Sequence, residues 1–533
     1  MAKEPVNNRV ERITIVGGGT AGWLTALFLD NYLNRFRQGQ PVAITLIESP
    51  NVPTVGVGEA TIISLPKLMQ QMAIDEAEMF RRCNASFKLS VRFCDWSLDS
   101  AGRPLTFFHP FNRPSGIGAF SPAYHYLKFG PPFPGMSLVE SLIPNVGLVH
   151  AHKGPRALNS QNYDSTINYA YHLDAALFAQ FMRDTATSRG IEHIRDDVDD
   201  IFLDETGAVS ALQLRNAGRY PVEFVIDCTG FKNLIMERLR TAPFISLNDH
   251  LLNDRAIPVQ IPHRDPKKIE PCTRATALGA GWVWRVPLYS RVGTGYVFSS
   301  AFRSDDEART EFFAHLRAIG DLPADAPDPN THVIKMRVGY TNQSWVKNCV
   351  SIGLSGGFIE PLEATAIYTI ELAARWFVGH FPDKTANPAL AARYNTLMTG
   401  LYEEIRDFIQ MHYYTSNRTE PYWVAAREAP LPDTLRERFE LWRIRLPDDT
   451  DSRPNSLFKY WNYTVVMQPK GFFKGLRFPL DGSLSRDHWD KFGRDLEAYK
   501  RELMRVLPDH YELLTAIRGY KPVAAPAPRK TLA

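Results

Sequence analysis

The sequence is short of cysteine, of charge imbalance and of long apolar runs, and each shortage closes off a class of protein. Five cysteines in 533 residues (Cys83, Cys94, Cys228, Cys272 and Cys349) are scattered, odd in number and form no CxxC pair. A disulfide framework or zinc ribbon is excluded on that spacing, and free thiols in a reducing, cytoplasmic setting are expected. With 61 Lys+Arg against 58 Asp+Glu the formal charge is +3. A dedicated nucleic-acid binder needs a basic excess to displace counterions from phosphates. No segment reaches the roughly 18 uninterrupted apolar residues of a spanning helix, so no membrane partner is expected. The polar stretch Met1–Val10 reads as neither signal peptide nor anchor. His150 and His152 stand two apart with no third ligand in view, and no metal is expected. What the chain does have is an ordinary globular balance, 44% hydrophobic and 22% charged, with aromatics at 12%. Those rings are either core or flat surfaces for another ring.

The pattern along the chain is α/β. Arg12–Val16 (RITIV) reads as a buried strand, Gly17–Gly22 as a turn, Trp23–Phe36 as a helix and Ala43–Glu48 (AITLIE) as a second strand. Val222–Asp227 and Val350–Leu354 repeat the strand-then-glycine signature far downstream, ahead of a helix expected over 363–378. A nucleotide domain assembled from discontinuous segments follows, over residues 1–385, with inserted substrate-side segments around 100–160. Residues 386–520 read as a mainly helical, aromatic-rich subdomain covering the substrate side, and 521–533 as a disordered Pro/Ala-rich tail. Tyr171–Asp174 is expected to open a helix with Asp174 as its cap, and the acidic run 196–200 to be a solvated loop.

Gly17-Gly18-Gly19-Thr20-Ala21-Gly22 fits GxGxxG between a strand and a helix. Such glycines permit the tight turn, the backbone approach to a pyrophosphate and close helix–strand packing, while the helix N-terminus offers free N–H groups. Glu48 ends the next strand, where a carboxylate accepts from ribose hydroxyls, and no arginine beside it suggests a 2′-phosphate. The distal elements Asp227-Cys228-Thr229-Gly230 and Ser351-Ile352-Gly353-Leu354 favour FAD over NAD, since an NAD domain is usually contiguous.

Four further segments carry a resemblance. They are Gly281–Pro287 (GWVWRVP, a WxWxxP element), the glycine-punctuated loop Pro53–Thr61, Asn84-Ala85-Ser86-Phe87-Lys88, and Glu360–Tyr368 (EPLEATAIY). With the fingerprint, they resemble the flavin-dependent halogenases of the tryptophan-halogenase family from Ile13 to about Trp461. The resemblance implies a Rossmann-like, flavin-monooxygenase-type fold that uses FAD as FADH2, O2 and a chloride or bromide ion. Hypohalous acid made on the flavin side would pass to an electron-rich, indole-type ring. Lys88 then corresponds to the family's lysine and Glu363 to its catalytic glutamate. Thr365 and Ala366 match its halide site, although Ala364-Thr365-Ala366 stands where the family usually has Ser-Thr-Gly. Gly17, Gly19, Thr20, Ala21, Gly22, Glu48, Gly58 and Gly353 would hold the cofactor. Trp282, Trp284 and Pro287 match the family marker, and His109, Phe111, Tyr460 and Trp461 the substrate lining.

The lysine can hydrogen-bond the oxidant or form a haloamine, and the carboxylate can take the ring proton. Where members that act on free tryptophan carry a tyrosine pair and a carboxylate, this chain reads Asp451–Ser456. That points to a simpler indole or another arene. No second dinucleotide fingerprint appears, so a separate NAD(P)H-dependent flavin reductase and a small aromatic substrate are the implied partners; a homodimer is compatible with the sequence. A flavin-dependent aromatic hydroxylase and a catalytically idle flavin-binding protein are the two alternatives.

Overall fold

The computed structural model describes residues 9–35, 40–52, 58–385, 387–453 and 455–519. The tail from Pro522 and residues 53–57 of the glycine-punctuated loop lie outside them.

The short runs rich in Ile and Val become the strands of one six-stranded sheet. Its order is Trp345–Val346, Cys349–Ser351, Phe224–Asp227, Arg12–Val16, Ala43–Glu48 and Glu192–Arg195. All neighbours are parallel except the first pair. Phe224, Ile13 and Ile44 sit opposite one another across three strands. A parallel sheet is covered on both faces, which is why these strands read as continuous apolar runs and not as alternating ones. The helix Thr20–Leu33 packs against both Ala175–Ser188 and Ala366–Gly379, and is buried on nearly every side.

A seven-stranded mixed sheet follows the order Ile334–Lys335, Arg255–Ile261, Val292–Phe298, Gly281–Pro287, Cys272–Leu278, Ser90–Leu98 and Pro104–Pro110. The tryptophan strand Gly281–Pro287 therefore has partners on both edges. Trp284 faces Gly295 across the ladder, and a Cβ at 295 would lie 2.2 Å from the indole. The glycine makes room for the ring. A small sheet of Gly58–Ala60, Ala170–Asp174 and Ser86–Lys88 adjoins it, and the Ser86 hydroxyl donates to the Pro287 carbonyl over 2.5 Å. Beyond 387 the main elements are helices, chief among them Pro388–Tyr414, Pro421–Glu428, Tyr460–Met467 and Arg486–Val506. Their apolar faces join the same core as the first strand, from Val10 to Ile517.

Three expectations are corrected. Ala170–Asp174 is a strand, and only the capping role of Asp174 holds: its carboxylate accepts from the N–H groups of Ala176 and Leu177, 3.1 Å each. The acidic run is not a solvated loop. Asp196 is buried and accepts main-chain N–H bonds from Asn216 and Ala217, while Val198–Leu203 is a strand. The charge density hid the Val, Ile and Phe interleaved with it. The first helix ends at Leu33, where Asn34 leaves the helical path and fastens its amide to the Val42 carbonyl.

One buried charge pair ties the layers under the small sheet. Glu76, wholly buried, receives Arg156 at 2.6 Å and the hydroxyls of Tyr169 and Tyr171 at 2.5 and 2.6 Å. Removing one partner of such a pair strands the other charge, at about 3–5 kcal/mol. Glu76→Ala is expected to lower the unfolding free energy by that amount in urea titration, and Arg156→Met with Glu76→Leu together by less than either single change.

Candidate active site

A single cavity of about 640 Å3 runs between the two large sheets. One end is built by the fingerprint. Gly17 has φ +118°, and a Cβ there would lie 2.2 Å from the Cys228 carbonyl oxygen; one on Gly22 would lie 1.9 Å from the Gly17 carbonyl oxygen. These contacts require glycine at both places. At Gly19, by contrast, a Cβ would meet nothing within 4 Å, so this backbone borders open space at the N-terminus of the helix Thr20–Leu33. That is the cradle a pyrophosphate needs. Glu48 lines the same end, with His193 Nε2 2.9 Å from its Oε2. Asp196, Asp197 and Arg215 line it as well, and the sequence had not marked them. The residues present fit a flavin dinucleotide.

The other end carries Lys88, Glu363, Thr365 and Ala366; Trp282, Trp284, Gly58 and Gly353 also line the cavity, Pro287 does not. Lys88 is the last residue of its strand and is 1% exposed. Its ammonium donates to the Thr61 carbonyl over 2.9 Å and sits 5.3 Å from the centre of the Phe111 ring. Burial lowers its pKa to about 8, with the Glu363 carboxylate pulling the other way.

Glu363 does not begin a regular helix, as the sequence suggested. It lies in a 3-10 turn, Leu362–Ala364, with φ +67°, and Ala364 follows at φ +57°. Two successive left-handed residues that are not glycine cost about 1–2 kcal/mol each, and the hydrogen bonds of the side chain hold them there. His109 Nδ1 is 2.8 Å from both carboxylate oxygens, and His412 Nε2 is 3.0 Å from Oε1. The proton on His109 can be placed by following the chain of bonds. The Lys459 N–H donates to Asn462 Oδ1, so Asn462 Nδ2 must donate to His109 Nε2, 2.8 Å away. Nδ1 therefore carries the proton and points it at Glu363. Burial alone would raise the Glu363 pKa, but His109 and His412 outweigh it and hold the carboxyl well below the usual range. His412, fully buried, is pushed down to about 4 and is neutral at pH 7.

Thr365 is buried, and Ala366 opens the helix Ala366–Gly379 whose first turn faces the cavity. Ala366 has no left-handed backbone, so an alanine sits there without strain. Phe111 and His109 touch Lys88 and Glu363 without lining the cavity. Trp461 is buried and donates its indole N–H to the Asn112 carbonyl, 3.0 Å; Tyr460 beside it is half-buried. Asn462 and His412, which fix the carboxylate, were not singled out from the sequence as site residues. No spacing motif marks them for that role, because Asn462 acts through His109, 353 residues earlier, and His412 meets Glu363 from 49 residues away (412 − 363).

A dinucleotide cradle at one end of a cavity and a buried lysine and carboxylate at the other define an oxidoreductase built on the flavin-monooxygenase plan. The sequence matches the family described as tryptophan halogenase over residues 12–478. Tryptophan 7-halogenase RebH of Lentzea aerocolonigenes is 36% identical over 557 residues, which span 96% of this chain and all of that protein. The crystal structure of a tryptophan halogenase from Shewanella frigidimarina superimposes with a TM-score of 0.89 at 32% identity, covering 96% of this chain and 98% of the other. BrvH, a flavin-dependent halogenase from Brevundimonas sp. BAL3, does so at 0.82 and 31%, covering 96% and 99%. The chain belongs to the tryptophan halogenase family, and it is a flavin-dependent halogenase, an oxidoreductase. No helix among the described residues is long and apolar enough to cross a membrane.

If Asn462 sets the imidazole that holds Glu363, Asn462→Asp should put two acceptors face to face at His109 Nε2 and release the ring from its place. Two-dimensional NMR of the histidine rings is expected to show the His109 cross-peaks displaced or broadened relative to the parent protein, with the fold unchanged.

Proposed function

We propose that the protein halogenates an electron-rich, indole-type arene, using FADH2, O2 and chloride or bromide. The observation that carries this reading is that Lys88 and Glu363 share one cavity with the dinucleotide cradle. Bound reduced flavin with O2 supplies the two-electron oxidation that converts halide to hypohalous acid. Gly17, Gly19, Thr20, Ala21, Gly22, Glu48, Gly58 and Gly353 hold the cofactor, and a separate NAD(P)H-dependent reductase provides it in reduced form. Residues 1–385 act as the FAD-binding catalytic unit and 386–520 as its helical cover.

The halide is held at Thr365 and Ala366, where the first turn of the helix Ala366–Gly379 offers N–H groups and the positive end of its dipole. Trp282 and Trp284 form the wall between the flavin and the arene, so that the mobile hypohalous acid and not the flavin reaches the substrate. Lys88 receives that oxidant. With a pKa near 8 the side chain is mostly ammonium at pH 7, and its N–H groups polarise the halogen toward the ring. The O–halogen bond breaks as halogen adds to the ring carbon, the Lys88 ammonium gives the departing hydroxide a proton so that it leaves as water, and Glu363 takes the ring proton, which restores the ammonium by way of solvent. A carboxylate held so far below its usual range is a weak base, but a cationic arene is acidic enough for it. His109, Phe111, Tyr460 and Trp461, none of which lines the flavin-side cavity, frame the ring on the far side of Lys88 and Glu363.

Free tryptophan fits less well than a simpler indole. Asp451, in the stretch where an amino-acid head group would be held, already accepts from Trp442 Nε1 at 2.8 Å and pairs with Arg445. Its carboxylate is thus committed within the protein.

Incubation with FAD, a flavin reductase, NADH, bromide and indole, followed by mass spectrometry, should give the bromine isotope pattern. Oxygenated product alone would favour the hydroxylase reading. Lys88→Ala is expected to abolish halogenation, by at least a hundredfold, while flavin reoxidation by O2 continues; full halogenation in that variant overturns the role given to the lysine. Because the ammonium is present below its pKa and lost above it, the turnover rate should fall as pH rises through about 8. A haloamine route through the free amine would show the opposite slope.

A further inference from the structure

Glu360 lies in the cavity wall three residues before Glu363, is 2% exposed, and has no part in the chemistry above. Its partners are all neutral. Oε1 accepts from the Tyr413 hydroxyl over 2.6 Å and Oε2 from Asn253 Nδ2 over 2.8 Å; the Tyr422 hydroxyl donates to Asn253 Oδ1 over 2.9 Å. The buried indole N–H of Trp282 is the third neutral group beside it. No cation pairs with this carboxyl among the described residues. A buried carboxylate without a counter-charge is costly, and such a group avoids that cost by keeping its proton.

The charges around the cavity make that proton consequential. At the reactive end Lys88 and Lys470 are the buried amino groups that Glu363 acts on, Glu363 is negative, and a bound halide adds another negative charge. Charged Glu360 would add one more negative charge, without a cation of its own, in a low-dielectric space. Glu59, on the strand Gly58–Ala60, is another carboxyl in the wall, and no cation pairs with it among the described residues. The titratable groups packed against Glu360 itself are Tyr413 on Pro388–Tyr414 and Tyr422 on Pro421–Glu428. Lys88, Glu59 and Glu363 line the same cavity, and Lys470 is buried beside Glu363.

We propose that Glu360 serves the halide site as an uncharged acid, and that its ionisation expels the halide. This rests on the halide reading given above. Burial raises the Glu360 pKa to about 7 against the pull of its three hydrogen-bonding neighbours, and burial raises that of Glu59 to about 7 also. Halide binding at neutral pH therefore recruits a proton, and Glu360 is a positioning residue for the anion. No bond is made or broken in this step; one proton is taken from solvent.

The test is calorimetric titration of bromide into the full-length, FAD-loaded protein in buffers of different ionisation enthalpy. The parent protein is expected to take up about one proton per bromide at pH 7.5, and its dissociation constant to rise about fivefold from pH 6 to 7.5. Glu360→Gln should bind bromide with little pH dependence in this range, retaining only the small uptake, about 0.2 proton, that Lys88 contributes. Tyr413→Phe, which removes a donor to the charged form, should shift the loss of affinity to higher pH; a purely structural role would not move it upward. Glu59→Gln should leave an uptake attributable to Glu360. Bromide that does not bind the parent protein at all overturns the halide reading and this inference with it. Bromide that binds without proton uptake, uptake unchanged in Glu360→Gln, or a pH dependence unmoved in Tyr413→Phe overturns this inference alone.

Discussion

The molecule depends on the strand Phe224–Asp227 being hydrogen-bonded on both edges. One edge pairs with Arg12–Val16, more than 200 residues earlier, and the other with Cys349–Ser351, more than 100 later. Three segments that cannot meet locally are thereby placed side by side, with their C-terminal ends at one edge of the sheet. Gly17, Thr229 and Gly353 follow those ends, and all three line the cavity. Asp227 secures the arrangement from within: its buried carboxylate accepts from the N–H groups of Thr229, Ile235 and Met236 at 2.9 Å each. Parallel pairing puts the loops of several strands on one edge, and ligands of open α/β sheets bind there.

The reactive end follows a different constraint. A carboxylate buried at a left-handed turn needs donors that do not neutralise it by proton transfer. His109, made a one-way donor by Asn462, meets that need, and the strand Pro104–Pro110 and the helix Tyr460–Met467 exist in the right relation only because both belong to one core. Lys88 is treated in the opposite way. Its ammonium has a carbonyl and an aromatic ring for company and no carboxylate within ion-pair distance among the described residues. The lysine thus keeps N–H groups to give, and the glutamate keeps lone pairs to receive.

Much of this was legible in the chain. The glycine turn, its flanking strand and the terminal Glu48 are local signals and sit where the pattern placed them, while the helix expected from Trp23 already begins at Thr20 and so takes in the last three residues of the expected turn. Trp282 and Trp284 alternate across a strand as their spacing implied. The acidic run 196–200 was misread because charge density outweighed the alternation of apolar residues, and Tyr171–Asp174 because a good helix cap also ends a strand. Nothing local announced His412 or Asn462, since a histidine or asparagine that serves a distant carboxylate looks like any other in sequence.

What the sequence determined by itself was the chemistry available: a glycine-rich turn between a strand and a helix, a lysine and a glutamate in recognisable settings, and strands apolar enough to be covered on both faces. Those are properties of single residues and near neighbours, and they follow from sterics and hydrophobic period alone. Only the tertiary structure decided the charge state of that chemistry. Whether Glu363 is held ionised, Lys88 lowered toward neutrality or Glu360 kept as an acid depends on which groups from distant segments surround each one and how far water is shut out. Desolvation and Coulomb interaction act through space, and space is set by the fold.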